Sequence, residues 1–274
     1  MKGYGLLLTA NGQQQMAKYT DILRRFDAIS LNEMEDVKLM NRIDTKYVLP
    51  LSVLPAVLEA ALTDYFVKEI DGKRVATYDT VYYDTESLDM YMRHHDRQLV
   101  RQKIRVRQYA DTGEFFLEIK RKNNKGHTRK KRIAVPGYEL TADTIGHGKE
   151  DTTIADFIEQ KSLYTWSTIA PHLRTDFHRI TLVNRQKTER LTIDTDIAWQ
   201  NIITEENRSY PALVIVEIKR NGNVASPMAR IMQEQRIHPL KISKYCIGTV
   251  LTTPDLKKNR FKAKIRQIEK MLNL

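Results

Sequence analysis

The chain has few of the features that fix a protein covalently or hold it in a membrane. Cys246 is the only cysteine among 274 residues, which excludes an intrachain disulfide and a cysteine-based metal cluster. No apolar run approaches a membrane span, and the run Leu6–Leu8 is too short for a signal-peptide core. We therefore expect a protein of the cytoplasm, where cysteines stay reduced.

The chain is also short of acidic residues. It has 45 Lys and Arg against 34 Asp and Glu, a formal net charge of +11. This balance favours binding to phosphate groups of a nucleic acid, an anionic lipid or a nucleotide, and does not choose among them. With 41% hydrophobic residues, a chain of this length can bury the core of a single domain.

What the chain has in abundance is an alternation of charged and apolar side chains with a period of two, in four segments. The polar sets are Lys103, Arg105 and Arg107; Glu118, Lys120 and Lys122; Arg190, Thr192, Asp194 and Asp196; and Glu217 and Lys219. Successive side chains of a strand point to opposite faces of the sheet. Each segment is therefore predicted to be a strand with one apolar and one ionic face.

The ionic faces favour an enclosed site. For any one strand, exposure to water is the simpler explanation. Across four strands, however, the cations would repel one another on a flat sheet. We therefore expect a closed antiparallel sheet with an ionic lumen and helices covering its apolar outside. Because an unpaired buried charge is costly, the lumen is predicted to hold a polyanion.

The remaining patterns predict an α+β protein with mostly antiparallel strands in sequence order. Strands are predicted at 45–49, 77–84, 98–109, 114–122, 127–135, 175–183, 189–199 and 213–220, and helices at 19–28, 51–62, 87–95, 153–161, 227–236, 243–251 and 255–272. We divide the chain into a leader with a short helix (1–30), the sheet domain (31–252) and a basic amphipathic helix (253–274) that is expected to pack on that domain.

One tetrapeptide, Glu-Ile-Lys-Arg, occurs twice, at Glu118–Arg121 and Glu217–Arg220. Each copy follows an apolar run and places a carboxylate and an ammonium group on the same strand face. Coincidence is the simpler explanation for so short a string. The alternative is that two walls of one cavity each offer a metal ligand beside a phosphate ligand.

Seven short segments follow one another in the order of a known family. They are Asn41–Tyr47, Val81–Thr85, Lys103–Arg107, Phe116–Lys120, Arg190–Asp196, Val214–Lys219 and Ser243–Tyr245. From Leu31 to Leu251 the chain resembles the vacuolar transporter chaperone (VTC) domain, the polyphosphate polymerase branch of the triphosphate tunnel metalloenzymes. The resemblance implies an eight-stranded antiparallel β-tunnel whose basic lining holds phosphates and whose acidic residue binds Mn²⁺ or Mg²⁺.

The resemblance also implies site residues. Lys46, Arg105, Arg107 and Lys120 are expected to act on the triphosphate of ATP or on polyphosphate, with Glu217 as the metal ligand, helped by Glu118 or Asp194. Further phosphate contacts are expected from Arg42, Lys103, Arg179, Arg190 and Lys219, and at the far end of the tunnel from Ser243 and Lys244. One more is expected from the run Arg129–Arg132, either Lys131 or a neighbour.

The first strand departs from the wider superfamily, which carries Glu-x-Glu-x-Lys there. The equivalent residues here are Arg42, Asp44 and Lys46. This argues against a tunnel triphosphatase or an adenylate cyclase, because the first metal-binding glutamate is replaced by a cation. It is similar to the polymerase branch, in which a later glutamate holds the metal.

The resemblance implies an ATP-dependent polyphosphate polymerase, with ATP and polyphosphate or another phosphate polyanion as binding partners. It also suggests a membrane-protein partner, which would place the chain at the inner face of a membrane. The alternatives are a nucleoside or inorganic triphosphatase and a non-catalytic polyphosphate-binding module. Nucleic acid is not expected, because it would favour cations on an exterior face among exposed aromatic side chains.

Several candidate residues also have simpler explanations. Arg105 and Arg107 can be ordinary ion-pair partners of Glu118, and Asp194 and Asp196 can pair with neighbouring cations rather than bind a metal. The consecutive histidines His94 and His95 have no matched ligand partners in the sequence. For them we expect a solvated helix surface.

Overall fold

One sheet organises the computed structural model, which describes residues 19–35, 37, 42–109, 112–136 and 152–274. Its strands are β1 (Asp27–Ile29), β2 (Arg42–Pro50), β3 (Tyr65–Lys68), β4 (Ala76–Asp84), β5 (Arg101–Tyr109), β6 (Glu114–Lys122), β7 (Thr128–Val135), β8 (Ala170–Asn184), β9 (Glu189–Asn201), β10 (Asn207–Tyr210) and β11 (Leu213–Asn221). Eight of them pair in the order β2-β11-β9-β8-β4-β5-β6-β7. The predicted antiparallel α+β sheet is confirmed, although its strands do not pair in their order along the chain. The short strands β3 and β10 pair with β8 and β9, and β1 pairs in parallel with β3.

The helices lie between these strands and after them. They are α1 (19–24), α2 (Leu31–Glu35), α3 (Leu54–Ala61), α4 (Asp89–His95), α5 (Thr152–Lys161), α6 (Pro227–Glu234), α7 (Lys244–Thr252) and α8 (Asn259–Leu272). Helix α6 begins at a proline, and the Ser226 hydroxyl before it accepts the Ala229 N–H at 2.9 Å. The predicted helices are confirmed, except that 27–28 belong to β1. The predicted leader up to residue 18 lies outside the described residues.

The apolar half of the alternation forms the convex face of the sheet. Ile104, Leu117, Leu191 and Val216 are all fully buried there. Helices α1, α3 and α6 cover β2, β8, β9 and β11, while α5 covers β4–β7. Because full burial of one such side chain contributes roughly 1.5–3 kcal/mol, this packing fixes which face of every strand is left for the ionic residues.

The sheet is not closed, which corrects the expectation of a complete tunnel wall. Strands β2 and β7 are the two ends of the pairing order, and no ladder joins them in the described residues. The segment before α7 takes part of the free edge of β2 instead. Tyr47 forms a bridge with Pro239, and the Leu240 N–H donates to the Lys46 carbonyl at 2.8 Å. A non-strand segment therefore occupies an edge that a closed sheet would give to β7.

The concave face is apolar at one end. Val48, Leu173 and Ile215 form a buried cluster there with Trp199 and with helices α7 and α8. Helix α7 approaches so closely that a Cβ at Gly248 would lie 2.2 Å from Trp199 Cδ1. Only glycine permits this contact, because any side chain at 248 would overlap the indole ring.

Helix α8 packs against α4. The Phe261 ring lies 5.8 Å from Tyr91 and 5.9 Å from His95, and the Tyr91 hydroxyl donates to the Lys257 carbonyl at 2.7 Å. His95 is only 2% exposed, so the expected surface position is wrong for this residue. No helix in the described ranges is long and apolar enough to span a membrane.

Candidate functional site on the concave face

The pairing register gathers the predicted cations on the concave face. On β5 and β6, Lys103 lies opposite Lys120 and Arg105 lies opposite Glu118. On the other side of the sheet, Lys46 on β2 lies opposite Glu217 on β11. The period of two keeps each set on one side of its strand. The predicted placement of each alternating set on one face of its strand is thereby confirmed.

A second group of charged residues lies on the same face, on β2, β11 and β9. Lys219 is paired in register with Asp44 on β2 and with Arg190 on β9. Arg42 is at the start of β2 and forms an ion pair with Asp44, Nε to Oδ1 at 2.6 Å, at an exposed position. The position of the first metal-binding glutamate in the wider superfamily is therefore occupied here by Arg42, at the rim of the concave face.

Contacts across the face show that the sheet curls around it. Strands β9, β8, β4 and β5 separate β11 from β6 in the pairing order, yet the charge of Lys120 helps to lower the pKa of Glu217. Lys103 Nζ on β5 also donates to Ser243 Oγ, just before α7, at 2.7 Å. Side chains from distant strands therefore converge on one concave surface.

This surface carries many more cations than carboxylates. Among the described residues its basic side chains are Arg42, Lys46, Lys103, Arg105, Arg107, Lys120, Lys130, Arg132, Arg179, Arg190, Lys219 and Lys244, and its acidic ones are Asp44, Glu118, Asp194 and Glu217. The excess persists after every carboxylate has been paired. The surface is therefore suited to an anionic ligand of high charge.

Glu118 is fully engaged by cations. Arg105 donates to its Oε2 from Nε at 2.7 Å and from Nη2 at 2.5 Å, and Lys130 Nζ contacts Oε1. Burial raises the pKa of Glu118, but the charges of Arg105, Arg107 and Lys130 outweigh it and hold the pKa well below its ordinary range. The ion-pair explanation for Arg105 is confirmed, and the Glu118 oxygens are occupied.

Asp194 is equally occupied. Arg179 donates to both of its oxygens, Nε to Oδ1 at 2.6 Å and Nη2 to Oδ2 at 2.8 Å, and Lys244 Nζ contacts Oδ2. Burial lowers the pKa of Lys244 to about 8, although Asp194 partly offsets that effect. Asp194 therefore positions two of the predicted phosphate ligands, as the ion-pair alternative expected.

Glu217 is held more loosely. Its nearest cations are Lys219 Nζ at 3.3 Å and Lys46 Nζ at 3.4 Å, and 22% of its side chain is exposed. Burial raises its pKa, and the charges of Lys46, Lys219 and others lower it far more. The two copies of the repeated tetrapeptide thus differ. Glu118 is closed off by hydrogen-bonded cations, whereas Glu217 retains room for another partner.

The donor set around Glu217 fits a metal that arrives with its substrate. No group of three His, Cys, Asp or Glu side chains suited to a metal is present in the described part of the chain. Mg²⁺ and similar ions often need only one or two carboxylates, because phosphate oxygens and water complete their shell. Glu217 is the carboxylate here that is free enough to serve.

Five cations of the surface have no ion pair with a described carboxylate: Lys103, Arg107, Lys120, Arg132 and Arg190. The charge of Arg105 lowers the pKa of Lys120 well below its ordinary value, with burial and Arg107 adding to the effect. Arg107 Nε reaches only the Thr80 hydroxyl, at 3.3 Å. These side chains repel one another in the free protein, and an anion would relieve that repulsion.

The prediction left open which cation of the run Arg129–Arg132 faces the site, and the register of β7 rules out Lys131 by turning it outward. Lys131 lies opposite Ile119 on the apolar side of β6, while Lys130 lies opposite Lys120. Lys130 and Arg132 are the cations of this run on the concave face, and Arg132 stacks over Phe116 at 4.6 Å. The sequence offered four consecutive cations, and the pairing of β6 with β7 selects two of them.

Asp196 does not lie with the other ionic residues of β9, contrary to the simple alternation. The register of β8 with β9 shifts between Asp176 and His178, and Asp196 has a positive φ of 51°. Its carboxylate lies 3.5 Å from His178 Nδ1, and His178 precedes the inward-pointing Arg179. A bulge therefore breaks the period of two after Asp194, which simple alternation could not reveal.

Aromatic side chains lie between the cations of the concave face. Tyr78 stacks on Phe177 at 5.4 Å, and the guanidinium groups of Arg107 and Arg179 lie over the Tyr78 ring. The Tyr82 hydroxyl accepts from Arg105 Nη1 at 3.1 Å. Burial raises the pKa of Tyr82, but Arg105 and neighbouring cations outweigh burial and lower it to about 8.

Comparison with known proteins agrees with this geometry. A family model described as the VTC domain matches residues 41–253. The chain belongs to the VTC domain family. No curated protein matches the chain.

Solved structures give the wider fold of this VTC domain. A putative adenylyl cyclase from Hippeastrum with a dominant triphosphatase activity is 15% identical, with a TM-score of 0.50 over 79% of this chain and 99% of that chain. A putative adenylate cyclase from Vibrio parahaemolyticus is 10% identical, with a TM-score of 0.43 over 77% and 99%. At such identities the first of these supports the fold alone, which is that of the triphosphate tunnel proteins.

Proposed function

We propose that this VTC domain transfers the γ-phosphoryl group of ATP to the end of a polyphosphate chain on the concave face. The observation that supports this most is the excess of cations that remains after Glu118, Asp194 and Glu217 have been paired. A linear polyanion offers one negative charge after another to such a surface. The contacts we assign to it first are the cations without a described carboxylate partner, Lys103, Arg107, Lys120, Arg132 and Arg190.

The reaction makes few demands on side-chain chemistry. A terminal oxygen of the polyphosphate attacks the γ-phosphorus of ATP, and a new P–O–P bond forms as the bond to the β–γ bridging oxygen breaks. ADP leaves with that oxygen and its electron pair. The attacking phosphate oxygen is already ionised, so no proton has to be removed. Such a transfer depends on alignment and on charge compensation.

The residues of the site supply both requirements. Arg105 and Arg179 are fixed by two hydrogen bonds each to Glu118 and Asp194, so their remaining N–H groups are held in place for phosphate oxygens. Lys46 and Lys219 lie beyond 3.2 Å from Glu217 and can turn toward the ligand. A divalent metal, Mn²⁺ or Mg²⁺, held by Glu217 and phosphate oxygens would add charge neutralisation when bound.

The test is incubation with ATP and Mn²⁺, followed by a product gel for acid-stable phosphate chains and an assay of ADP. We expect both products from the native chain, and a loss of both in Glu217→Gln and in the pair Arg105→Ala with Arg107→Ala. Lys120→Ala should lose at least tenfold in rate, since one charge-stabilising donor can be worth about 10²–10³ in kcat. Arg121→Ala is the matched control, because Arg121 is exposed on the opposite face of the same strand.

Other outcomes select other functions. ADP with free phosphate and no polymer would indicate a triphosphatase, the activity described for the Hippeastrum protein. Tight polyphosphate binding without ATP turnover would indicate a binding module. The membrane-protein partner implied by the resemblance stays a prediction. Copurification of such a partner with the native chain would test it separately.

A further inference from the structure

A row of cations leads from the concave face to the outer surface at the end of the β5–β6 pair. Arg101 lies opposite Lys122, one inward-facing step beyond the Lys103–Lys120 pair. Lys241 and Lys264 continue the row on the segment before α7 and on helix α8. Arg101, Lys122 and Lys264 are partly exposed and Lys241 is exposed. We call Arg101, Lys122, Lys241 and Lys264 the mouth row.

The members of the mouth row are held next to one another. Lys264 Nζ donates to the Lys241 carbonyl at 2.5 Å, which ties α8 to the segment that ends at Ser243. Ser243 in turn accepts from Lys103 Nζ at 2.7 Å on the concave face. Burial lowers the pKa of Lys122, and the charges of Arg101 and Lys241 lower it further. The row is therefore one electrostatic unit that is continuous with the site.

The four cations of the mouth row have no carboxylate partners in the part of the chain that the structure describes, although other cations near them do. None of its four cations forms an ion pair with a carboxylate of the described residues, while nearby Lys257 pairs with Asp96 at 3.2 Å and Arg93 with Asp89 at 2.6 Å. Like charges directly opposite each other on paired strands destabilise a sheet. Arg101 and Lys122 are such a pair, and an anion between them would relieve their repulsion.

We propose that the mouth row binds the portion of a polyphosphate chain that extends beyond the concave face. The inference rests on the proposed function for the identity of the ligand. Continuity with the inner cations is what favours it, because a linear polyanion that fills the site and continues outward at this edge meets Lys103 and Lys120 and then Arg101 and Lys122. A long chain would therefore gain contacts that a short one cannot reach.

The test compares two ligands in the absence of ATP, so that it does not depend on turnover. Binding of tripolyphosphate and of long-chain polyphosphate is measured by calorimetry on the native chain and on the triple variant Lys122→Gln, Lys241→Gln, Lys264→Gln. The matched control is Lys262→Gln, Arg266→Gln, Lys270→Gln. It removes the same charge from exposed positions of α8 on the side away from Lys264.

We expect the mouth-row variant to lose roughly tenfold or more in affinity for long-chain polyphosphate and to bind tripolyphosphate like the control. The salt dependence of long-chain binding should also become shallower, by about one unit of slope for each lost phosphate contact. Thermal unfolding of both triple variants shows that each one folds.

Equal long-chain affinity in the two triple variants would overturn the inference, and so would an equal loss for both ligands, which would indicate a general effect of charge. The inference also fails if the row variant instead loses binding to duplex DNA or to phosphatidylserine vesicles while polyphosphate binding is kept. These results are separate from the test of function. A chain that makes no polymer but loses long-chain binding in the row variant would contradict only the proposed polymerase.

Discussion

The concave face has an ionic half and an apolar half, and the same strands contribute residues to both. On β2, Lys46 and Val48 are successive inward residues, and on β11, Glu217 and Ile215 are. On one side of this boundary the face is ionic, and on the other it is filled by Trp199 and helix α7. Two residues along a strand therefore separate the apolar surface, which is covered by helix α7, from the ionic surface, which is not.

The apolar half contributes most of the stability, whereas the ionic half provides the charge for binding. Each apolar side chain buried at the closed end contributes roughly 1.5–3 kcal/mol. The buried ion pairs of the ionic half contribute little net stability, because desolvation offsets most of the attraction between the charges. Packing in the apolar half therefore holds the sheet in its curled form, and this form brings the cations of the ionic half close together.

The largest expected effect is the removal of a carboxylate from the ionic half. Glu118→Ala leaves Arg105 buried and without its partner, which typically costs about 3–5 kcal/mol of unfolding free energy. Urea denaturation measures the change. Glu114→Ala, at an exposed position of the same strand, is the control and should change stability by less than about 0.5 kcal/mol. A similar small loss in Glu118→Ala would contradict our account of the paired ionic half.

A ligand should stabilise the ionic half next most strongly. Tripolyphosphate at a hundred times its Kd is expected to add about 2.7 kcal/mol to the unfolding free energy, because it binds the folded chain alone. Thermal denaturation with and without the ligand measures this, and sodium chloride at matched ionic strength is the control. An unchanged transition would show that the unpaired cations do not form a binding surface.

At the closed end, Gly248→Ala should destabilise the chain by about 1–3 kcal/mol through overpacking against Trp199. Combining it with Trp199→Phe should recover part of the loss, since the smaller ring makes room for the new methyl group. A double-mutant cycle by chemical denaturation measures this coupling. Strictly additive effects would mean that the close contact between α7 and β9 is not what limits residue 248.

The smallest expected effect is a difference in the pH dependence of stability. The pKa of Glu118 is lower in the folded chain than its ordinary value of 4.5. Its contribution is therefore fully present above that value and is lost as the pH falls toward the folded pKa. The gap in unfolding free energy between the native chain and Glu118→Ala should narrow between pH 7 and pH 3. A constant gap would contradict the lowered pKa.

The sequence placed most of the candidate cations on the correct strand face wherever a single strand was enough to decide. Alternation placed Lys103, Arg105 and Arg107 on one face without any knowledge of their neighbours. It failed at Lys131, because the choice within four consecutive cations depends on the register of β6 with β7. It failed again at Asp196, because a bulge inverts the face of β9 after Asp194.

Side-chain periodicity was enough to predict the fold class, the positions of the main strands along the chain and the ionic face of each strand, because those properties depend on neighbours along the chain. Only the tertiary structure decided that the sheet stays open between β2 and β7, that α7 fills one end, and that Glu118 is closed off while Glu217 stays accessible. These features depend on which side chains meet after the strands have paired and the helices have packed, such as Lys103 with Ser243. The alternation within one strand does not encode those partners.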